Sequence, residues 1–128
     1  MKPADSHRLF ETLLARAMTA TDPVRALDEA SRDRRLPHSL RSSLKRVDRD
    51  GVRMAALLVA RLRFERLLRG SPEAEEWFER DPASFADAFR RYHAEVAPSA
   101  FFPSAEARLF REWRSTTIES PGDFGRRA

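Results

Sequence analysis

The sequence predicts an all-α protein. Apolar residues recur at helical rather than alternating spacing throughout, and no run of β-branched residues reads as a strand. Proline-marked caps at Asp22-Pro23, Ser71-Pro72 and Asp81-Pro82 cut the chain into helix-sized lengths. We expect about six helices in one domain over residues 1–114, packed around a central apolar helix at about 52–69, with residues 115–128 as a disordered tail.

Each element has its own signal. The first helix is expected from Asp5 or Ser6 to about Thr19, with Leu9, Phe10, Leu13, Leu14 and Ala17 as its apolar stripe. Asp22-Pro23 opens the second: the carboxylate accepts from exposed backbone N–H groups, and proline suits the first helical position. Leu36-Pro37 interrupts, and a third helix follows from about His38 to Val47 with Leu40, Leu44 and Val47 inward. Asp48-Arg49-Asp50-Gly51 reads as a turn and cap before the helix Val52 to Arg69. The first half of that helix (Met54 to Ala60) has hardly any polar face, which predicts enclosure at the centre of the bundle. Gly70 stands in the glycine position past a helix C-terminus.

The two later caps open segments carrying Trp77 and Phe78, then Phe85, Phe89 and Tyr92, the last three spaced along one helical face. Pro98 to Pro103 reads as a loop presenting Phe101-Phe102, and Ser104 caps a last helix with Leu109, Phe110 and Trp113 on one side. Nine of the twelve aromatic residues lie between Gly70 and Trp113. Phe85, Phe89, Leu109 and Phe110 are explained as core. Trp77, whose neighbour Phe78 must point about 100° away, and the Phe101-Phe102 pair remain as a surplus that packing does not need.

Composition excludes several kinds of chemistry. There is no cysteine, hence no disulfide, thiol catalysis or cysteine-ligated metal. The longest charge-free run is far shorter than the roughly 20 residues of a membrane span, and the N-terminus lacks the apolar core of a signal peptide, so the expected location is cytoplasmic. His7, His38 and His93 lie on three different elements, and His93 stands about 200° from Glu95 on a helix, so no metal site converges. Asp48-x-Asp50-Gly51 resembles part of a calcium loop, but aligned on the glycine the first and last ligand positions hold Arg46 and Leu57. No phosphate loop, nucleophile elbow or zinc-protease pattern is present. The sequence therefore points away from an enzyme acting alone and calls for no cofactor; an enzyme using His93 and nearby carboxylates would show a strongly altered histidine titration.

Two binding features stand out. Residues 31–53 hold eight cations against three acids, and the net charge of the whole chain is +4. Arg41, Lys45, Arg46 and Arg49 on two short helices joined near Leu36-Pro37 offer a surface for nucleic acid, for an acidic protein partner, or simply for solvent. Arginine supplies nearly all of the positive charge, which favours bidentate pairing with carboxylates and phosphates but also arises from codon composition. The second feature is the aromatic surplus. Trp77, Phe101 and Phe102 are the expected apolar anchors for a protein or peptide partner, with Arg61, Arg63 and Arg66 as charge partners.

Arg61-Leu62-Arg63-Phe64-Glu65-Arg66-Leu67-Leu68-Arg69-Gly70 is followed by an aromatic helix and Arg91-Tyr92-His93, then by a break at Pro98 and Phe102-Pro103 leading to Phe110 and Trp113. That order, over about residues 59–113, resembles the small helical partner proteins encoded beside iron-dependent peptide-modifying oxidases. Among them are the methanobactin-type partner subunit and a domain family labelled as DNA-binding. The resemblance implies a non-catalytic adaptor that holds a precursor peptide and docks on a barrel-shaped, iron-bearing enzyme. Because the metal belongs to that other subunit, no catalytic residue is implied here.

Overall fold

In a computed structural model describing residues 2–118, seven helices and no strand occur among the described residues. They are α1 (Pro3–Thr19), α2 (Pro23–Ser31), α3 (His38–Arg46), α4 (Arg49–Gly70), α5 (Pro72–Arg80), α6 (Pro82–Glu95) and α7 (Pro103–Ile118). No helix among these residues is long and apolar enough to cross a membrane. The chain divides into two compact units, Met1–Ala60 and Arg61–Ala128, the boundary falling inside α4.

The caps behave as their chemistry dictates. Asp22, Ser71 and Asp81 each precede a proline at the start of a helix and accept from the backbone N–H three residues on, at 3.1, 3.1 and 3.2 Å. Asp48 does the same for α4, accepting from the N–H groups of Asp50 (3.3 Å) and Gly51 (3.2 Å). That cap moves the start of α4 back from Val52 to Arg49. At the other end of the chain α7 continues to Ile118, so Ser115–Thr117 are helical rather than tail. Their hydroxyls fold back onto the carbonyls of Arg111, Glu112 and Trp113, which satisfies them without leaving the helix. Residues 119–128 of the expected tail lie outside the described residues.

In the first unit, α1, α2 and α3 pack on one another around buried Ala17, Leu27, Leu40, Leu44 and Val52, with Leu9, Phe10, Leu13 and Leu14 of the α1 stripe against that core. Arg49 fastens this unit from the side. Its guanidinium bonds Asp28 on α2 at 2.8 Å and donates to the carbonyls of Leu44 (2.8 Å) and Val47 (2.7 Å), capping the C-terminal end of α3.

The second unit is an aromatic cluster. Phe64, Trp77, Phe78, Phe85, Phe89, Tyr92, Phe110 and Trp113 meet edge-on or tilted with centroids 5.0–6.5 Å apart, the range in which such pairs add to their area burial. Trp77 is buried, which corrects its expected place as an exposed anchor. Phe85 of α6 sits between the diverging Trp77 and Phe78 and touches both, at 5.3 and 6.0 Å, so adjacent residues of α5 share one core.

The α4 helix departs from its expected enclosure. In the first unit Val52 and Ala56 are buried while Met54, Leu57 and Leu58 are 57–68% exposed; in the second Arg63 and Leu67 are buried while Leu62 is 49% exposed. Gly70 is the last residue of α4 and has no positive φ, so its role is not conformational. A Cβ there would lie 1.9 Å from the Pro103 carbonyl oxygen: the glycine is needed because the start of α7 crosses the end of α4 backbone to backbone.

Gly70→Ala must push α7 off α4 and is expected to lower stability by about 1–3 kcal/mol. At Gly51 an added Cβ meets only the tip of the Asp48 side chain, at 3.1 Å. Gly51→Ala should therefore change stability by less than about 1 kcal/mol, the helix-propensity gain offsetting the displaced cap. Urea midpoints of the two variants measure the contrast.

Candidate partner-binding site

The loop between α6 and α7 begins at Val96, where the helix backbone ends on an N–H to Tyr92 carbonyl bond of 2.8 Å. It closes where Glu106 N–H bonds the Phe102 carbonyl at 3.1 Å and Pro103 lies against Gly70. Between these fixed ends Phe101 and Phe102 stand 88% and 70% exposed. Two adjacent phenylalanines on a loop pinned at both ends have no packing explanation among the described residues. The expected exposure of this pair is what the structure shows.

The pin at Val96 traces back to a charge cluster that the sequence reading does not contain. Arg63 and Glu106 are fully buried in the second unit and joined by Nε to Oε2 at 3.0 Å. Arg63 also donates through Nη1 to the Val96 carbonyl and to His93 Nδ1 (3.3 Å), and its guanidinium lies 4.2 Å over the Tyr92 ring. Glu106 accepts in addition from the Tyr92 hydroxyl and from Arg66 Nε, the latter at 3.3 Å. One carboxylate therefore takes donors from α4 and α6, the acceptor-only group best able to do so. Burial and the Glu106 hydrogen bond both hold the Tyr92 hydroxyl far above its ordinary pKa, so it serves as a donor.

His93 stacks on Phe89 at 5.7 Å. Because Arg63 donates to Nδ1, the ring in this arrangement is the neutral tautomer protonated at Nε2. Burial first, and the Arg63 charge second, push its pKa below the ordinary value, with Glu106 opposing. Among the described residues Nε2 of His93 and Nη2 of Arg63 have no hydrogen-bond partner.

The expected charge partners thus separate. Arg61 is exposed and holds Glu65 at 3.3 Å on its own helix. Arg63 is structural, a correction to its expected surface role, and Arg66 is mostly buried against Glu106. Of the basic segment, Lys45 and Arg46 are exposed, Arg46 Nε donating to the Ser42 carbonyl at 3.3 Å. Arg49 is committed to Asp28 and the end of α3, and Arg41 Nε is buried without a hydrogen bond. Among the described residues no group of three or more His, Asp or Glu side chains comes together in a way that would hold a metal ion. No protein family, curated protein or solved structure matches this chain.

Two outcomes follow from the buried cluster. Glu106→Ala leaves Arg63 without its counter-charge and should cost about 3–5 kcal/mol in urea unfolding. For His93 the folded pKa lies below the unfolded one, so the unfolded chain binds the proton more readily. The stability this group contributes is complete above the unfolded value near 6.5 and is lost as pH falls toward the folded value. The slope should reach at most about 1.4 kcal/mol per pH unit, and His93→Gln should remove that component from the pH dependence of the melting temperature.

Proposed function

We propose that this chain is a non-catalytic accessory subunit that binds an apolar segment of a protein or peptide partner at the Phe101-Phe102 loop. The observation that carries the reading is the exposure of both rings on a backbone held at each end. A pre-set loop orders little on binding, so burial of each ring, on the order of 2–3 kcal/mol, goes into affinity. Adjacent aromatic anchors of this kind mark interface hot spots. The chemistry-bearing groups support the same reading: Tyr92, Glu106 and the Nδ1 of His93 are bonded to one another or to Arg63 in the core.

In its most specific form the partner is a precursor peptide that this subunit presents to a peptide-modifying metalloenzyme, as the resemblance over residues 59–113 implies. Arg61 is then the charge partner with a free approach from solvent, and Arg63 and Arg66 act by holding the frame of the loop.

Tagged wild-type chain and a Phe101→Ala/Phe102→Ala variant, each co-expressed with the products of neighbouring genes, test the reading. The variant should lose the co-purifying partner while its circular dichroism is unchanged and its melting temperature moves by less than about 2 °C. Unaltered capture, or a large fall in melting temperature, would remove the support.

A further inference from the structure

The whole excess of positive charge lies in the first unit. Residues 1–60 carry twelve lysines and arginines against eight carboxylates, whereas residues 61–128 carry twelve of each. Within the first unit the excess narrows further, because residues 34–47 hold five cations and no acid. The acids of that unit other than Asp5 are already engaged. Asp28, Glu29, Asp33 and Asp50 pair with Arg49, Arg25, Arg35 and Arg53, and Glu11 pairs with His7. Asp22 and Asp48 cap helices. Arg32, Arg34, Lys45 and Arg46 form no ion pair among the described residues, so they are open to a counter-charge from outside.

The α3 helix places part of this set on one face. Leu40 and Leu44 are buried and Val47 packs against the same core. At 100° per residue His38, Ser42, Lys45 and Arg46 then share an outward arc of about 100°. Lys45 and Arg46 are exposed, and Arg41 at the edge of the arc buries its Nε. Asp33 is held below the usual carboxylate range by Arg35 first and also by Arg41, so the connection carrying exposed Arg34 runs beside that edge. No apolar side chain interrupts the arc. That argues against a protein partner, whose interface rests on buried apolar anchors, and against insertion into a lipid surface. A nucleic-acid backbone, by contrast, is recognised through charge alone. A helix that reads bases does so from its first turn, where α3 has no lysine or arginine. The chain also has no Asn or Gln, the side chains that pair with adenine.

We infer that the outward face of α3 binds the phosphate backbone of duplex nucleic acid without regard to base sequence, through Lys45 and Arg46 and through Arg34 of the preceding connection. His38 Nε2 and Ser42 Oγ, 3.5 Å apart on the same arc, add neutral hydrogen-bonding groups for phosphate oxygens. Three cation contacts give a log–log dependence of affinity on salt with a slope of about −3. The surface lies within the first unit and stands or falls independently of the Phe101-Phe102 loop.

The test titrates the full chain into labelled duplex DNA of two unrelated sequences and reads fluorescence anisotropy. Both duplexes should bind alike, and affinity should fall about 40-fold between about 50 and 200 mM salt. Lys45→Ala/Arg46→Ala should weaken binding by about tenfold or more and reduce the slope by about 2, with the melting temperature unchanged. Should the loss of Arg46 disturb the fold, Lys45→Ala alone should reduce the slope by about 1. Arg80→Ala/Arg108→Ala removes the same charge from exposed positions of the second unit and should leave the slope in place, as should Phe101→Ala/Phe102→Ala. Absence of binding at about 50 mM salt, a slope indifferent to Lys45, or a strong preference for one duplex would overturn the inference. So would equal binding of poly-glutamate of the same charge, which would assign the face to an acidic protein. Tighter binding to phosphatidylserine vesicles would overturn it in favour of a membrane surface.

Discussion

The second unit depends on a carboxylate placed where water does not reach. Glu106 is fully buried, and a charge in such a setting is tolerated only when donors replace its hydration. Arg63, Arg66 and Tyr92 supply them from two other helices. The consequence is geometric more than energetic. Edge-on rings tolerate small slides along a helix, whereas two charged hydrogen bonds and a phenolic one do not. The pair sets the register of α4, α6 and α7, and through the Arg63 bond to the Val96 carbonyl it also sets where the exposed loop begins.

That single tie links interior to surface. Tyr92 occupies the base of the guanidinium, the Val96 carbonyl takes one arm, and Pro103 presses on Gly70 at the far end of the loop. Phe101 and Phe102 are therefore exposed by construction. A loose loop would bring its rings back onto the aromatic cluster, since their transfer out of water is favourable wherever the backbone permits it. Two phenylalanines kept in solvent by a held backbone are the feature on which the proposed partner site rests.

Local features were legible in the sequence and distant ones were not. The Asp22, Ser71 and Asp81 caps, the α1 stripe and the inward Leu40 and Leu44 depend on residues within one or two turns, and they fold as their spacing dictates. Arg63 and Glu106 lie 43 residues apart, and in the sequence each is one arginine or glutamate among many. Trp77 misled because a helix diagram places its neighbour about 100° away, without showing that Phe85 fills the space between the two. Ser115–Thr117 misled because propensity counts hydroxyl residues against a helix, whereas here each returns its proton to a carbonyl one turn back. Gly70 was placed at the right helix end for the wrong reason, the true one being a chain segment 33 positions later.

The α4 helix shows why composition alone could not separate interior from surface. Its apolar content on both sides satisfies the same criterion that marks a central helix, and the two situations differ only in whether the second layer of contacts comes from this chain. In the first unit the described residues cover Val52 and Ala56 and leave Met54, Leu57 and Leu58 open; in the second they cover Arg63 and Leu67 and leave Leu62 open.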